Sequence, residues 1–141
     1  MALSIVERPY LLGLVVGLAV LAPHTVLPEQ VSLAYAAISL GLIAGIYIGF
    51  ALVKGSQEQI LVEVATAGVF ALAALLGAVA VPLIIPIAYF AHGLWDAAHL
   101  ARKRGDEFLV PTPKWYPPFC AITDWVIAIG LIVLWWRSGI L

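Results

Sequence analysis

Ionisable side chains recur at helical spacing within apolar parts of the chain. His92, Asp96 and His99 follow one another at intervals of four and three residues, so a helix places all three on one face. Asp124 and Glu63 each lie in a separate apolar stretch. A charged side chain in an apolar environment is costly unless it is paired or coordinates a metal. These five residues are therefore the first candidates for chemistry.

Two histidines with two or three carboxylates form a ligand set that suits Zn, Mn or non-haem Fe. The sequence predicts that His92, Asp96, His99 and Asp124 bind one divalent metal ion. Glu63 is predicted to be a fifth ligand or a general base, so Glu63 and Asp124 are the candidate catalytic carboxylates. A divalent cation would also neutralise the carboxylates that the helices bury.

Three other interpretations stay open. Asp96 could orient an imidazole in a hydrogen-bonded network without metal, either structural or conducting protons, in which one acid is protonated. The acids could instead pair with Arg102 or Lys114 near the headgroups by snorkelling. A single haem held between His92 or His99 and the same residue of a second copy is the third alternative.

The elements that position these residues are predicted to be membrane helices. The 141 residues are 64% hydrophobic and 11% charged, with a mean hydropathy of +1.08, whereas ordinary domains are about 45–50% apolar and about 25% charged. The formal net charge of -1 excludes a strongly basic nucleic-acid-binding protein. One cysteine excludes a disulfide, a Cys-only zinc site and an iron–sulfur cluster within one chain.

Five stretches are long enough to cross a bilayer, which takes about 20 apolar residues. They cover residues 9–26, 31–53, 60–79, 82–101 and 118–136. Nothing polar separates the third and fourth stretches, but a single helix over both would be about 60 Å long, twice the hydrocarbon thickness. The sequence therefore predicts one all-α domain over residues 1–141, an integral membrane bundle of five transmembrane helices. A cleaved signal peptide, which would leave four spans, is the alternative.

Positive charges are distributed unequally between the two ends of these stretches. With five spans, six of the seven Lys and Arg residues share the side of the N-terminus, and only Arg137 lies on the other. The positive-inside rule then places the N-terminus in the cytoplasm and the C-terminus outside, in a bacterial inner membrane. The aromatic pairs 115–116 and 135–136 are predicted to be interfacial anchors, and His24 is also expected to be interfacial.

The candidate residues lie at similar predicted depths. Asp96 lies six residues before Arg102 and Asp124 lies six residues after Pro118, so each is about 9 Å inside the cytoplasmic boundary, and Glu63 is about 7 Å inside. A site at this depth is reached most readily from the bilayer. The sequence thus predicts a metal-dependent enzyme that acts on a lipid or isoprenoid-like substrate. The rival is a non-catalytic accessory or ligand-binding subunit of a larger membrane complex.

Small residues form a stripe on the second predicted helix. Gly41, Gly45 and Gly49 share one face, and small residues let membrane helices approach closely. The stripe is expected to serve packing within the bundle or a homodimer interface, and the sequence does not separate the two.

Two segments, Ala91–His99 and Trp115–Trp125, resemble a family of small uncharacterised bacterial membrane proteins of about this length. The resemblance covers most of the chain and implies a membrane location. It implies no activity, but its distinctive segments are those in which the candidate site lies.

Overall fold

Every regular element of the structure is helical. The computed structural model describes residues 7–141, and five α-helices account for most of them. They are α1 (Pro9–Leu21, followed by a 3-10 turn at Ala22–Thr25), α2 (Glu29–Lys54), α3 (Gln57–Val79), α4 (Ile84–Leu100) and α5 (Tyr116–Ser138). No strand occurs within the described residues, so the prediction of an all-α fold with five helices is confirmed.

Local chemistry sets several helix ends. Ser56 and Gln59 form a reciprocal capping box that starts α3 directly after α2 ends. Residues 80–83 make the tight turn between α3 and α4, which is where the sequence predicts a break. Gly139, with φ 80°, ends α5 in the left-handed conformation that glycine adopts without strain.

Three helices are long and apolar enough to cross a membrane. They are α2, α3 and α5, with 26, 23 and 23 residues. Their outward faces carry large apolar side chains such as Leu42, Val69 and Ile129, which are 70%, 66% and 61% exposed. A surface of this kind suits lipid rather than water. Helices α1 and α4, of 13 and 17 residues, are shorter.

Glycines set the distances between α5 and its neighbours. A Cβ atom at Gly17 would lie 2.9 Å from the Cβ of Val126, so α1 can approach α5 this closely only with glycine there. Gly93 of α4 lies against the Trp125 indole in the same way. Close contact of α4 with α5 brings together the polar side chains that the two helices carry.

The stripe on α2 differs, because a Cβ atom added at Gly41, Gly45 or Gly49 would meet nothing within 4 Å. The stripe therefore does not pack against other described residues, and packing within the bundle is not its role. The homodimer through this face stays a prediction.

A small polar cluster joins α1, α2 and α5 at the end opposite the candidate site. His24 Nδ1 lies 2.7 Å from Ser32 Oγ, to which the Trp135 indole N–H also donates at 2.9 Å. Trp135 is 1% exposed and Tyr116 is 7% exposed, so the prediction that these two are interfacial anchors is wrong. Both rings instead fill the interior, where Trp135 gains a hydrogen-bond partner.

Candidate functional site

Three buried residues from two helices form one compact group, here called the His92 group. Helix α4 contributes His92 and Asp96, and α5 contributes Asp124. Each residue offers one ligand atom such that all three atoms lie within 4.8 Å of one another. All three side chains are 1% exposed or less.

Short hydrogen bonds fix the geometry of this group. His92 Nδ1 lies 2.6 Å from Asp124 Oδ2 and 3.6 Å from Asp96 Oδ2. The Tyr47 hydroxyl, from α2, donates to Asp96 Oδ1 at 2.6 Å. Phe70 of α3 contacts the imidazole edge-on, with ring centroids 4.8 Å apart. Four helices therefore hold the three side chains in place.

Two carboxylate oxygens of the group lack a partner. Asp96 Oδ2 and Asp124 Oδ1 are buried, and neither makes a hydrogen bond with any other described residue. Buried polar atoms are nearly always hydrogen-bonded, so each exception calls for an explanation. Two buried carboxylates beside one imidazole also need further positive charge or protons. The donor set of one histidine and two carboxylates therefore fits a divalent cation such as Zn, Mn or Fe.

Glu63 and His99 form a separate pair. His99 Nε2 lies 2.9 Å from Glu63 Oε1, and His99 Nδ1 lies 3.1 Å from the Trp95 carbonyl oxygen. The Trp95 indole N–H donates to Glu63 Oε2 at 3.3 Å. Every nitrogen and oxygen of this pair thus has a partner. The structure does not bring His99 or Glu63 into the His92 group, although the sequence predicts a single site.

The pair and the group are neighbours across one tyrosine ring. The ring of Tyr47 lies against His99, with centroids 4.2 Å apart, while its hydroxyl binds Asp96. Both histidines are buried inside one chain, at 1% and 4% exposure. Neither is presented to a second copy, so the arrangement gives no support to a haem shared between copies.

The loop between α4 and α5 closes the end of the bundle at which α2 and α4 end and α3 and α5 begin. Gln59 donates to the carbonyl oxygens of Asp106 and Leu109, at 3.1 and 2.9 Å, and Arg102 donates to the same two oxygens. Val110 is fully buried and packs in the apolar cluster that contains Tyr47. The loop therefore covers the site at this end of the bundle.

Asp106 stabilises the turn within this loop. Its Oδ1 accepts the backbone N–H groups of Leu109 and Phe108, at 2.9 and 2.8 Å. These two hydrogen bonds favour the charged form and hold the pKa of the carboxyl below its ordinary value.

Sequence reasoning missed Tyr47, Trp95 and the buried position of Tyr116. Tyr47 lies seven residues before Lys54, about 10 Å inside the end of α2, which matches the depth of Asp96. The same depth argument would have found it if phenol hydroxyls had been considered beside ionisable groups. Cys120, buried in the cluster with Tyr47 and Tyr116, is a packing residue.

No protein-family model, curated protein or solved structure matches this chain. The resemblance to small bacterial membrane proteins therefore stays a prediction.

Proposed function

We propose that this protein is an integral membrane protein whose His92 group binds a divalent cation and acts on a lipid or isoprenoid-like substrate. One observation carries the proposal: three ligand atoms within 4.8 Å of one another coincide with two buried carboxylate oxygens that lack partners. A divalent cation would satisfy both oxygens and balance both charges.

The proposal includes five spans, with the N-terminus in the cytoplasm of a bacterial cell. The length and hydropathy of α2, α3 and α5 support three of these spans. The 17 residues of α4 would cover about 26 Å, near the lower limit for a span. Helix α4 packs between α3 and α5 and follows α3 after a tight turn. We therefore infer that α4 runs back through the layer of the membrane that α3 crosses. The segregation of Lys and Arg supports the orientation.

The chain's own residues have distinct roles in this proposal. His92, Asp96 and Asp124 would hold the cation, and Tyr47 keeps Asp96 Oδ1 occupied so that Oδ2 is the oxygen available. A bound cation would polarise a substrate oxygen or activate a water molecule. Glu63 is not part of the proposed set, because both its oxygens already have hydrogen-bond partners.

A second candidate is a non-catalytic subunit in which the group is a proton-sharing network. The contact of 2.6 Å between His92 Nδ1 and Asp124 Oδ2 favours it, since a protonated imidazole and a carboxylate form such a bond without metal. In this case Asp96 would carry a proton, which leaves one acid neutral.

Elemental mass spectrometry separates the two candidates. Protein produced in metal-replete cells and purified in detergent without chelator should contain close to one Zn, Mn or Fe per chain. His92→Ala and Asp124→Asn should lose the metal. His99→Gln is the matched control and should keep it, because His99 lies in the separate pair. Stable wild-type protein without metal would contradict the proposal and favour the non-catalytic subunit.

A further inference from the structure

A cavity of about 330 Å³ opens between the end of α4 and the start of α5, and it is here called the α4–α5 cavity. Its wall includes Leu100 at the end of α4, Pro117 at the start of α5, and three polar residues of the loop between them, Arg102, Thr112 and Lys114. Leu100 is 50% exposed. The cavity therefore borders the outer apolar surface of the bundle as well as the loop.

The charged residues in the wall of the α4–α5 cavity are both cationic. Arg102 and Lys114 line it, and neither forms a salt bridge with an acid anywhere in residues 7–141. The acids of the same loop lie elsewhere, because Asp106 and Glu107 line a separate hollow beside the start of α3. The cavity thus carries positive charge that the neighbouring residues do not balance.

The polar side chains of the loop keep hydrogen atoms to donate. Arg102 donates its Nε–H to the Leu109 carbonyl oxygen at 2.6 Å and an Nη2–H to the Asp106 carbonyl oxygen at 3.3 Å. A guanidinium has five N–H groups, so the remaining ones are available while the two carbonyl oxygens fix the side chain in place. The other side-chain hydrogen bonds of the loop are made by Asp106, and they leave Thr112 and Lys114 without a partner among the described residues.

The rest of the wall adds no side-chain donor. His99 lines the cavity, but its two ring nitrogens already have partners in Glu63 and the Trp95 carbonyl oxygen. The other residues of the wall are leucine and proline. A ligand would therefore meet one guanidinium, one ammonium and one hydroxyl.

We propose that the α4–α5 cavity binds the phosphate monoester head group of an anionic membrane lipid, whose hydrocarbon chains lie outside it along the apolar surface next to Leu100. Helix α4 ends and helix α5 begins beside the cavity, so it lies where these helices leave the hydrocarbon layer. Basic pockets between membrane helices bind anionic head groups in this way. The inference goes beyond the proposed function and rests only on its membrane location, not on the cation.

The donors of the wall distinguish a phosphate monoester from other head groups. Such a group carries about two negative charges near neutral pH and three acceptor oxygens, which match two cations and one hydroxyl. A carboxylate has two oxygens and one charge, so Arg102 alone could bind it and Lys114 would stay unpaired. A phosphocholine head group would bring a third cation beside the two that the cavity already holds.

Isothermal titration calorimetry of the full-length protein in a neutral detergent tests the inference. The probe is dioctanoyl phosphatidic acid, and we expect saturable binding of close to one lipid per chain. Dioctanoyl phosphatidylcholine should bind about tenfold more weakly or less tightly still, and dioctanoylglycerol, which has no phosphate, should not bind. Equal affinity for the three lipids, or no saturable binding of the phosphatidic acid, would overturn the inference.

Inorganic phosphate distinguishes a lipid from a soluble ligand of the same chemistry. It presents the same oxygens without hydrocarbon chains, so it should displace dioctanoyl phosphatidic acid only when present in large excess. Displacement at equal concentrations would overturn the lipid as the ligand and assign the cavity to a soluble phosphate.

Two matched substitutions make the test specific to the cavity. Lys114→Met removes one cation from the wall and should weaken binding about tenfold or more. Lys103→Met makes the same change of charge in the same loop but outside the wall, and it should leave the affinity nearly unchanged. Equal weakening by both would mean that binding follows the overall charge of the loop, and it would overturn the inference.

Thr112→Val tests the neutral donor of the wall. It keeps the shape of the side chain, removes the hydroxyl and should weaken binding about tenfold or less. Unchanged affinity in both Thr112→Val and Lys114→Met would overturn the inference.

Metal content measured on the same samples keeps the two proposals separable. Lys114→Met should retain the metal, because Lys114 is not part of the His92 group. Protein that holds metal but does not bind dioctanoyl phosphatidic acid would overturn the lipid site and leave the cation site standing. Protein that binds this lipid but contains no metal would support the lipid site and contradict the cation site.

Discussion

Helix α4 contributes the histidine of two histidine–acid centres, His99 with Glu63 and the His92 group. The two centres differ in how completely their nitrogen and oxygen atoms are hydrogen-bonded. His99 and Glu63 have a partner for every nitrogen and oxygen. His92 has two acids near one nitrogen, and each of those acids keeps one oxygen free. The two histidines are seven residues apart and equally buried, so residue type and depth do not distinguish them. Completeness of hydrogen bonding does, and it makes the His92 centre the one of the two that could hold a metal ion.

Glu63→Ala should give the largest effect, on stability alone. It leaves the buried His99 without its acidic partner, and removing one member of a buried pair costs about 3–5 kcal/mol. The free energy of unfolding in detergent would measure this loss. The metal content of the folded fraction should stay unchanged, since Glu63 lies outside the His92 group. Loss of metal at unchanged stability would reverse the assignment of the two centres.

Tyr47→Phe should weaken both stability and metal binding. It removes the hydrogen bond to Asp96 Oδ1, and hydrogen bonds to charged groups contribute about 1.5–3 kcal/mol. Loss of a partner that orients a ligand typically lowers metal affinity by about 10–100-fold. Competition with a metal chelator would measure the affinity. An unchanged affinity would mean that Tyr47 stabilises the fold without orienting Asp96.

Gly93→Ala tests whether close contact of α4 and α5 builds the incomplete centre. The added methyl group meets the Trp125 indole, and overpacking of this kind costs about 1–3 kcal/mol. We expect weaker metal binding as His92 moves relative to Asp124. Gly45→Ala is the control, because a Cβ atom there meets nothing within 4 Å. If both substitutions lower the affinity equally, the α4–α5 distance does not control the site.

Protonation of Asp106 should give the smallest effect, and this effect should be confined to the loop between α4 and α5. Its folded pKa is lowered, so its contribution to stability is present above the ordinary pKa of an Asp and is lost as the pH falls through the folded value. Amide hydrogen exchange at Phe108 and Leu109 should accelerate in acid beyond the intrinsic rate. Asp106→Asn keeps an acceptor oxygen but should remove this pH dependence. Persistence of the dependence in Asp106→Asn would exclude Asp106 as its source.

The sequence predicted the helices and the depth of the site better than it predicted which residues form the site. Hydropathy and length were sufficient for five helices, and depth along each helix put Glu63, Asp96 and Asp124 in one layer. Depth does not tell how each helix is rotated about its axis. That rotation turns Glu63 towards His99 and turns Asp124 towards His92.

The glycine patterns show the same limit. Gly13 and Gly17 on α1, and Gly41 and Gly45 on α2, have identical spacing. The first pair packs tightly on α5, while the second faces outward, because the arrangement of helices leaves α2 without a neighbour on that side. Spacing reveals a smooth helix face, but only the tertiary arrangement reveals what covers it.

The loop between α4 and α5 has a practical consequence for mapping the topology of this protein. Val110 is fully buried, and the carbonyl oxygens of Asp106 and Leu109 accept hydrogen bonds from Gln59 and Arg102, so this part of the loop belongs to the packed interior. A reporter enzyme, epitope or cysteine label inserted at Val110 would disrupt the packing of the loop against the cluster that contains Tyr47. The same insertion at Gly105, which is exposed, should be tolerated and would report which side of the membrane this loop faces.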